Sequence, residues 1–285
     1  MKTFTLGICL ILVSVLSGCD GGPAEENQEY LSSIDESRLI SELDFDDNDF
    51  EDCVKANAEE NGWTNVGEVI SLDCSGEVSD SYYNTIEAIS VFKNLKTVNL
   101  NDNNLDSDDL LIFRKLMNIT TLSLANNNID LIDDISHLDL VELDLSDNIG
   151  VEIIDNFASF QNLQKLKMDN NYGVVDFSPI GSIDSLKYLS LKNCAIYDAS
   201  FLSDIENLDY LYLDKNDIGS AEGVNVRKEL SLSSTDLENI DSLIEFDHLD
   251  VLNIKDIDNF TCDDYAHIKE LLPETFVVIS EECSE

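Results

Sequence analysis

Positive charge is scarce in this sequence. Of 285 residues only 16 are lysine or arginine, against 59 aspartate or glutamate, for a formal net charge of −43. A field this negative repels phosphate, so nucleic acid and anionic lipid surfaces are excluded as partners. Histidine is nearly as rare: His137, His248 and His267 lie far apart along the chain. No G-x-S-x-G, P-loop, H-E-x-x-H or dinucleotide-binding glycine pattern is present, and the abundant acidic pairs are not diagnostic of catalysis. We therefore expect no enzyme activity and no cofactor. Long apolar runs are also missing apart from Phe4 to Leu16, which is too short to span a bilayer.

What the chain has instead is a beat. From Val174 apolar residues recur at Phe177, Ile180, Ile183, Leu186 and Leu189, tighten to Leu191, reach Cys194 and Ile196, then resume at Ala199, Leu202, Ile205, Leu208, Leu211 and Leu213. A helix alternates steps of three and four, and a half-buried strand steps by two. A beat of three with one two-residue step per cycle describes a short strand and a tight, mostly non-helical return.

Most cycles read L-x-x-L-x-L-x-x-N-x-L, as in LKTVNLNDNNL (Leu95–Leu105), ITTLSLANNNI (Ile119–Ile129) and LDYLYLDKNDI (Leu208–Ile218). Strand centres fall at Val98, Leu122, Leu143, Leu166, Leu189, Leu211, Leu230 and Leu252, with an earlier copy at Ile70–Leu72. This is the leucine-rich repeat signature. It predicts an α/β solenoid: a right-handed, curved stack with a parallel β-sheet on its concave side and short irregular or 3-10 returns on its convex side. The leucines form a continuous core that no single repeat can close. The asparagines (Asn103, Asn127, Asn148, Asn171, Asn216) turn inward to satisfy buried backbone groups, each worth about 1–3 kcal/mol if left unpaired. Cys194 takes that place once and reads as a buried structural thiol. The short step to Leu230, with Gly219 and Gly223 inside it, marks an irregular turn that could kink the stack.

The return stretches VVDFSPIGSIDSL (Val174–Leu186) and TIEAISVFKNL (Thr85–Leu95) carry apolar beats in place of a full helix. In this the chain resembles the short-repeat class of bacterial internalins and of leucine-rich repeat regulators of protein phosphatases, over roughly Ile70 to Ile257. The resemblance implies protein binding through the concave strand face; fold alone names no partner.

The N-terminus reads as a secretory signal, with Lys2, the apolar run, and Leu16-Ser17-Gly18-Cys19 at its end. That ending resembles the bacterial lipobox, which implies a lipid on Cys19 and membrane attachment in the cell envelope. Asp20 resembles an inner-membrane retention signal. The domain plan is then residues 1–18 signal, 19–43 lipidated cysteine and acidic tether, 44–84 N-terminal cap with the first strand, 85–258 repeats, and 259–285 C-terminal cap. A brief acidic helix is predicted over Glu29–Leu43.

Outside Cys9, Cys19 and Cys194, four cysteines remain as two pairs with equal spacing, Cys53 with Cys74 and Cys262 with Cys283. Each pair brackets one end of the solenoid, where the leucine core needs capping. In an oxidising compartment both pairs are expected as disulfides. A metal site is the alternative, but no C-x-x-C or His–Cys spacing supports it. The caps should hold helices over about Phe50–Glu60, packed beside Trp63, and Asp263–Leu272, stopped by Pro273, then a strand at Phe276–Ile279. Asp44, Asp46 and Asn48 have the opening spacing of an EF-hand loop, yet Asp49 stands where glycine is needed and Lys55 where glutamate is needed. The acidity reads first as solubility and salt adaptation.

The few lysines are not scattered. The third, fifth and seventh positions of each repeat point onto the concave face, and neighbouring strands lie about 5 Å apart. Lys165, Lys167, Tyr188, Lys192, Tyr210 and Tyr212 therefore form one basic–aromatic patch, flanked by Glu142 and Asp144 on one side and Asp214 on the other. Exposed tyrosine is favoured where partners bind tightly. The expected function is a lipid-anchored, monomeric module holding a protein or peptide ligand on that face, like a surface receptor or adhesin. A periplasm-facing scaffold or regulatory subunit, or a structural envelope component, fits the same sequence.

Overall fold

The computed structural model describes residues 30–45, 47–76, 86–238 and 240–283. The segment expected to be a secretory signal, Cys19 and the Gly-Pro stretch after it lie outside these residues. Ten short strands form one sheet in sequence order: β1 (Ser71–Asp73), β2 (Thr97–Asn99), β3 (Thr121–Ser123), β4 (Glu142–Asp144), β5 (Lys165–Lys167), β6 (Tyr188–Ser190), β7 (Tyr210–Tyr212), β8 (Glu229–Ser231), β9 (Val251–Asn253) and β10 (Phe276–Val278). Every neighbouring pair is parallel, and the centres stack in one file from Leu72 through Leu122, Leu166 and Leu211 to Val277. The centres are buried while the flanking residues stay half-exposed on the concave side. The protein is a leucine-rich repeat solenoid with a disulfide at each end.

The returns are mostly short 3-10 segments, such as Asp109–Lys115, Asp155–Ser159 and Ser178–Ser182. Their inward residues, among them Phe113, Phe157 and Ile180, are fully buried. A return this short leaves no length for an α-helix, which is why the apolar beat is three and not the three-four alternation.

The asparagine ladder joins consecutive turns. Asn127 Nδ2 donates to the carbonyls of Leu100 and Leu124, each at 2.9 Å, while its Oδ1 accepts the N–H groups of Asn103 and Leu105 at 3.1 and 2.9 Å. Asn216 repeats the pattern toward Leu191, Leu213, Cys194 and Ile196. The residue before the asparagine is left-handed in turn after turn: Asp102, Asn126, Asp147, Asn170, Asn193 and Lys215 all have φ between 54° and 63°. Aspartate and asparagine tolerate that conformation best, which explains part of their abundance. Cys194 replaces the amide with its thiol, which donates to Met168 O at 3.1 Å. Burial pushes that thiol up to about 12, so it is held as a neutral, structural group.

The stack continues through the shortened repeat. Among the described residues, the return between β7 and β8 is the one without a 3-10 turn or helix. Tyr210 still pairs with Glu229 and Tyr212 with Ser231 in unbroken register. Gly223 takes φ 79° while Gly219 does not take a positive φ, and the missing residues are removed from the return while the strand register is kept.

The N-terminal cap is α1 (Asn48–Asn61), begun by Asp47, whose side chain accepts from the N–H groups of Asp49 and Phe50, and ended by left-handed Gly62. Phe50, Val54 and Ala58 pack into the core. Cys53 is bonded to Cys74 with the α-carbons 5.7 Å apart. The EF-hand spacing is overridden here: Asn48 opens the helix, so the stretch that calcium needs as a loop is helical, and Asp46 lies outside the described residues. The helix predicted over 29–43 does not form. Among its described residues, 30–33 are helical; Asp35 then accepts from the N–H and hydroxyl of Ser37, turning the chain, and only a short 3-10 turn follows at Ile40–Glu42. Beyond it Ile40 N–H bonds Thr64 O and Val66 N–H bonds Arg38 O, so the segment runs beside the cap and buries Leu31, Ile40 and Leu43.

At the other end, α2 (Cys262–Leu271) starts with a reciprocal cap between Thr261 and Asp264. Cys262 is bonded to Cys283 with α-carbons 5.1 Å apart. Buried Tyr265 places its hydroxyl 3.2 Å from Ser280 Oγ, and β10 follows as the last strand of the same sheet.

Candidate ligand-binding face

The strand register sets the concave surface. Across it, Glu142 pairs with Lys165, Lys165 with Tyr188, and Tyr188 with Tyr210; one row over, Asp144 pairs with Lys167, Lys167 with Ser190, and Ser190 with Tyr212. The six residues of the patch, with Asp214 beside them, come together. Tyr188 sits at the centre, its ring 6.1 Å from Tyr210 and 5.3 Å from Tyr212, both tilted by about 40°. Lys165 Nζ lies 5.7 Å from the centroid of Tyr188, and Lys192 Nζ lies 4.7 Å from that of Tyr212. Such ammonium–ring contacts are worth roughly 0.5–1 kcal/mol at exposed sites.

None of the three lysines is bare. Lys165 pairs with Glu142 at 3.2 Å, Lys167 with Asp144 at 3.2 Å, and Lys192 with Asp214 at 3.3 Å. The patch is a charge-balanced aromatic surface within an acidic exterior, not a basic one. Pairs this exposed contribute about 0–1 kcal/mol each to stability, so their weight lies in orienting side chains. Asp214 is the most tied: it also accepts from Ser231 Oγ and, at 3.0 Å, from Ser233 N–H.

Local environment shifts the titrating groups. Burial raises Tyr188, opposed by the neighbouring Lys167 charge. Tyr212 is raised much further, by burial first and then by the charge and hydrogen bond of Glu229. Burial works against Lys167, but Asp144 outweighs it and the ammonium is held above its ordinary range. All three therefore stay in their pH 7 forms.

The third, fifth and seventh positions did not reveal one part of the surface. Lys228 Nζ stands 5.5 Å from the Tyr210 centroid and 2.9 Å from Asp209 Oδ2, and Arg227 Nη2 is 2.6 Å from Asp209 Oδ1. The Lys228 hydrogen bond, ahead of the other influences, holds the Asp209 carboxyl below its usual range. These residues occupy the first and second positions of their repeats. The signal was available: Arg227 stands where most repeats have a leucine, and a charge at a core position of the pattern has to turn outward.

Two hollows open on this face. The larger, about 490 Å³, is bordered by Asp169, Lys192, Tyr212, Asp214, Glu229 and Asn253. The smaller, about 130 Å³, lies between β3, β4 and β5 and includes Glu142, Asp144, Lys165 and Lys167. The histidines lie away from both. His248 Nε2 sits 2.9 Å from the Val226 carbonyl, and His267 is in α2.

Known structures share this architecture. The chain is similar to an internalin (inlF) from Listeria monocytogenes, with TM-score 0.67 and 19% identity over 86% of this chain and 73% of that one. It is similar to an internalin C2 (inlC2) from the same organism, with TM-score 0.59 and 23% identity over 87% of this chain and 99% of the other. A functional domain of InlJ from Listeria monocytogenes, described as including a cysteine ladder, matches with TM-score 0.55 and 16% identity over 88% and 62%. At these identities the likeness establishes the fold. No protein-family model and no curated protein matches the chain. Among the described residues, no helix is long and apolar enough to cross a membrane.

Proposed function

We propose that this protein is a lipid-anchored binding module that holds a protein or peptide ligand on the concave face of its solenoid, and that it is not an enzyme. The observation that carries the reading is the tyrosine cluster. Tyr188, Tyr210 and Tyr212 are half-buried, pack on one another, and are steadied by ion-paired lysines. Tyrosines fixed this way lose little side-chain freedom on binding, and they are the residue type most used as anchors at protein interfaces. The internalin-type architecture supports the same face. The Leu16-Ser17-Gly18-Cys19 sequence supports a lipid on Cys19, and two or more acyl chains give stable attachment.

The experiment is ligand capture with the wild type and with Tyr210→Ala/Tyr212→Ala. Truncating two anchors should weaken binding by about tenfold or more, while the buried strand centres keep the melting temperature unchanged. Unchanged affinity refutes the reading. Protease treatment of intact cells, with a permeabilised control, separates a surface receptor from a periplasm-facing scaffold. Digestion on intact cells favours the receptor, and protection until permeabilisation favours the scaffold and a retaining role for Asp20.

A further inference from the structure

The tyrosine surface ends in a step. Tyr212 on β7 stands beside Ser231 on β8, and Ser231 beside Asn253 on β9. The fall in side-chain size opens the larger hollow, with Tyr212 as one wall and Glu229 and Asp214 at its sides. Charge changes across the same step. On the N-terminal side Lys165, Lys167 and Lys192 each have a carboxylate partner. At the hollow, Glu229 has no ion pair among the described residues; it is half-buried and borders the hollow together with Tyr212. The Tyr212 ring already carries one ammonium in the form of Lys192, 4.7 Å from its centroid.

We infer that this hollow receives a lysine or arginine side chain of the ligand, its stem lying over Ser231 and its charged head between Glu229 and the Tyr212 ring. The inference rests on the concave face being the binding surface and names the chemistry that surface selects. A half-buried carboxylate without an ion-pair partner is completed by a cation, and the carboxylates bordering the hollow, Asp169, Asp214 and Glu229, outnumber its two lysines, of which Lys192 is already paired with Asp214 and Lys215 is exposed at the rim. Arginine fits better than lysine, since its planar fork pairs with one carboxylate while its face stacks on an aromatic ring. The net charge of −43 adds long-range attraction for a cationic partner.

The test is a nuclear magnetic resonance titration of the labelled protein with N-acetyl-Gly-Arg-Gly-amide and with its citrulline counterpart, which keeps the shape and removes the charge. At about 0.15 M salt, where general attraction is screened beyond roughly 8 Å, the arginine peptide should shift the amides of Ser231, Ser233 and Asn253. The citrulline peptide should do so weakly. Glu229→Gln, which keeps an acceptor for Tyr212, should weaken the arginine peptide about three- to fivefold. Concave shifts that are equal for both peptides, or unmoved by Glu229→Gln, overturn the cation seat and leave the concave face as the binding surface. Shifts spread over the acidic exterior, insensitive to Glu229→Gln and to Tyr210→Ala/Tyr212→Ala, overturn both.

Discussion

The side-chain amide of Asn57 closes the first edge of the sheet on Asp73: its Oδ1 accepts the Asp73 N–H at 3.1 Å and its Nδ2 donates to the Asp73 carbonyl at 3.0 Å. The backbone of Asp73 is thus paired as a neighbouring strand would pair it. Open edges invite pairing with other chains, and here a residue of α1 occupies the position. Asn57→Ala leaves one donor and one acceptor at the edge to water and should cost about 1–2 kcal/mol. Thermal unfolding should register the loss. The neighbouring Asn61→Ala, which removes a single bond to the Asn57 carbonyl, should change little, and equal losses for both would sink the edge-closing role.

Each disulfide closes a loop with a sequence separation of 21 residues. In the chain-entropy treatment a loop of this size is worth about 3 kcal/mol. A solenoid transmits stability only between neighbouring turns, so losing one bond should loosen one end. Cys53→Ser/Cys74→Ser should speed amide exchange around β1 and β2 while β6 and β7 keep their protection. Uniform loss of protection along the whole sheet would show that the ends and the middle unfold as one unit.

The strand centres, the asparagine ladder and the concave tyrosines are legible because each depends on repeat position, and position fixes direction in a parallel stack; both disulfides are legible from the two equally spaced cysteine pairs that bracket the repeats. Two things are not. Residues 30–43 have the apolar spacing of a helix, but Asp35 and Ser37 turn the chain, and Ile40 and Leu43 bury themselves against the cap instead. Their burial is decided by a surface far along the chain, which periodicity does not report. The ion pairs are the second. Lys192 and Asp214 belong to consecutive turns, and whether an ammonium stays bare or meets a carboxylate depends on side-chain reach across strands. The repeat positions therefore give a basic patch where the structure balances its charges.

Alkaline pH should destabilise this protein through three groups at once. Burial is the first cause of the raised Cys194, Tyr188 and Tyr212, and Cys194 is pushed up to about 12. In the unfolded chain a cysteine ionises near 8.5 and a tyrosine near 10. Below those values both states are protonated and stability is fully present. Above them the unfolded chain releases protons that the fold retains, so stability falls from about pH 8.5 upward, until the folded groups themselves ionise. Cys194→Asn, which restores the residue used by most turns, should remove the lower part of that slope. In the native wild type at pH 8 the thiol should resist iodoacetamide and become reactive in denaturant. Rapid alkylation of the folded protein would contradict its assigned burial.

Salt should act in the opposite direction. With 59 acidic residues against 16 basic ones, self-repulsion opposes the compact state, and the surface ion pairs are too exposed to offset it. The Debye length shrinks from about 10 Å at 0.1 M to about 3 Å at 1 M salt. Screening then weakens the many repulsions between carboxylates at longer range more than the few pairs in direct contact, such as Lys165 with Glu142 at 3.2 Å. The melting temperature should rise steadily between those salt concentrations, and sodium chloride and potassium chloride should act alike because the effect is screening. A much larger rise with millimolar calcium than with equivalent sodium would instead indicate specific ion binding. A fall with salt would mean that the attractive pairs, and not the net charge, dominate the electrostatics of the fold.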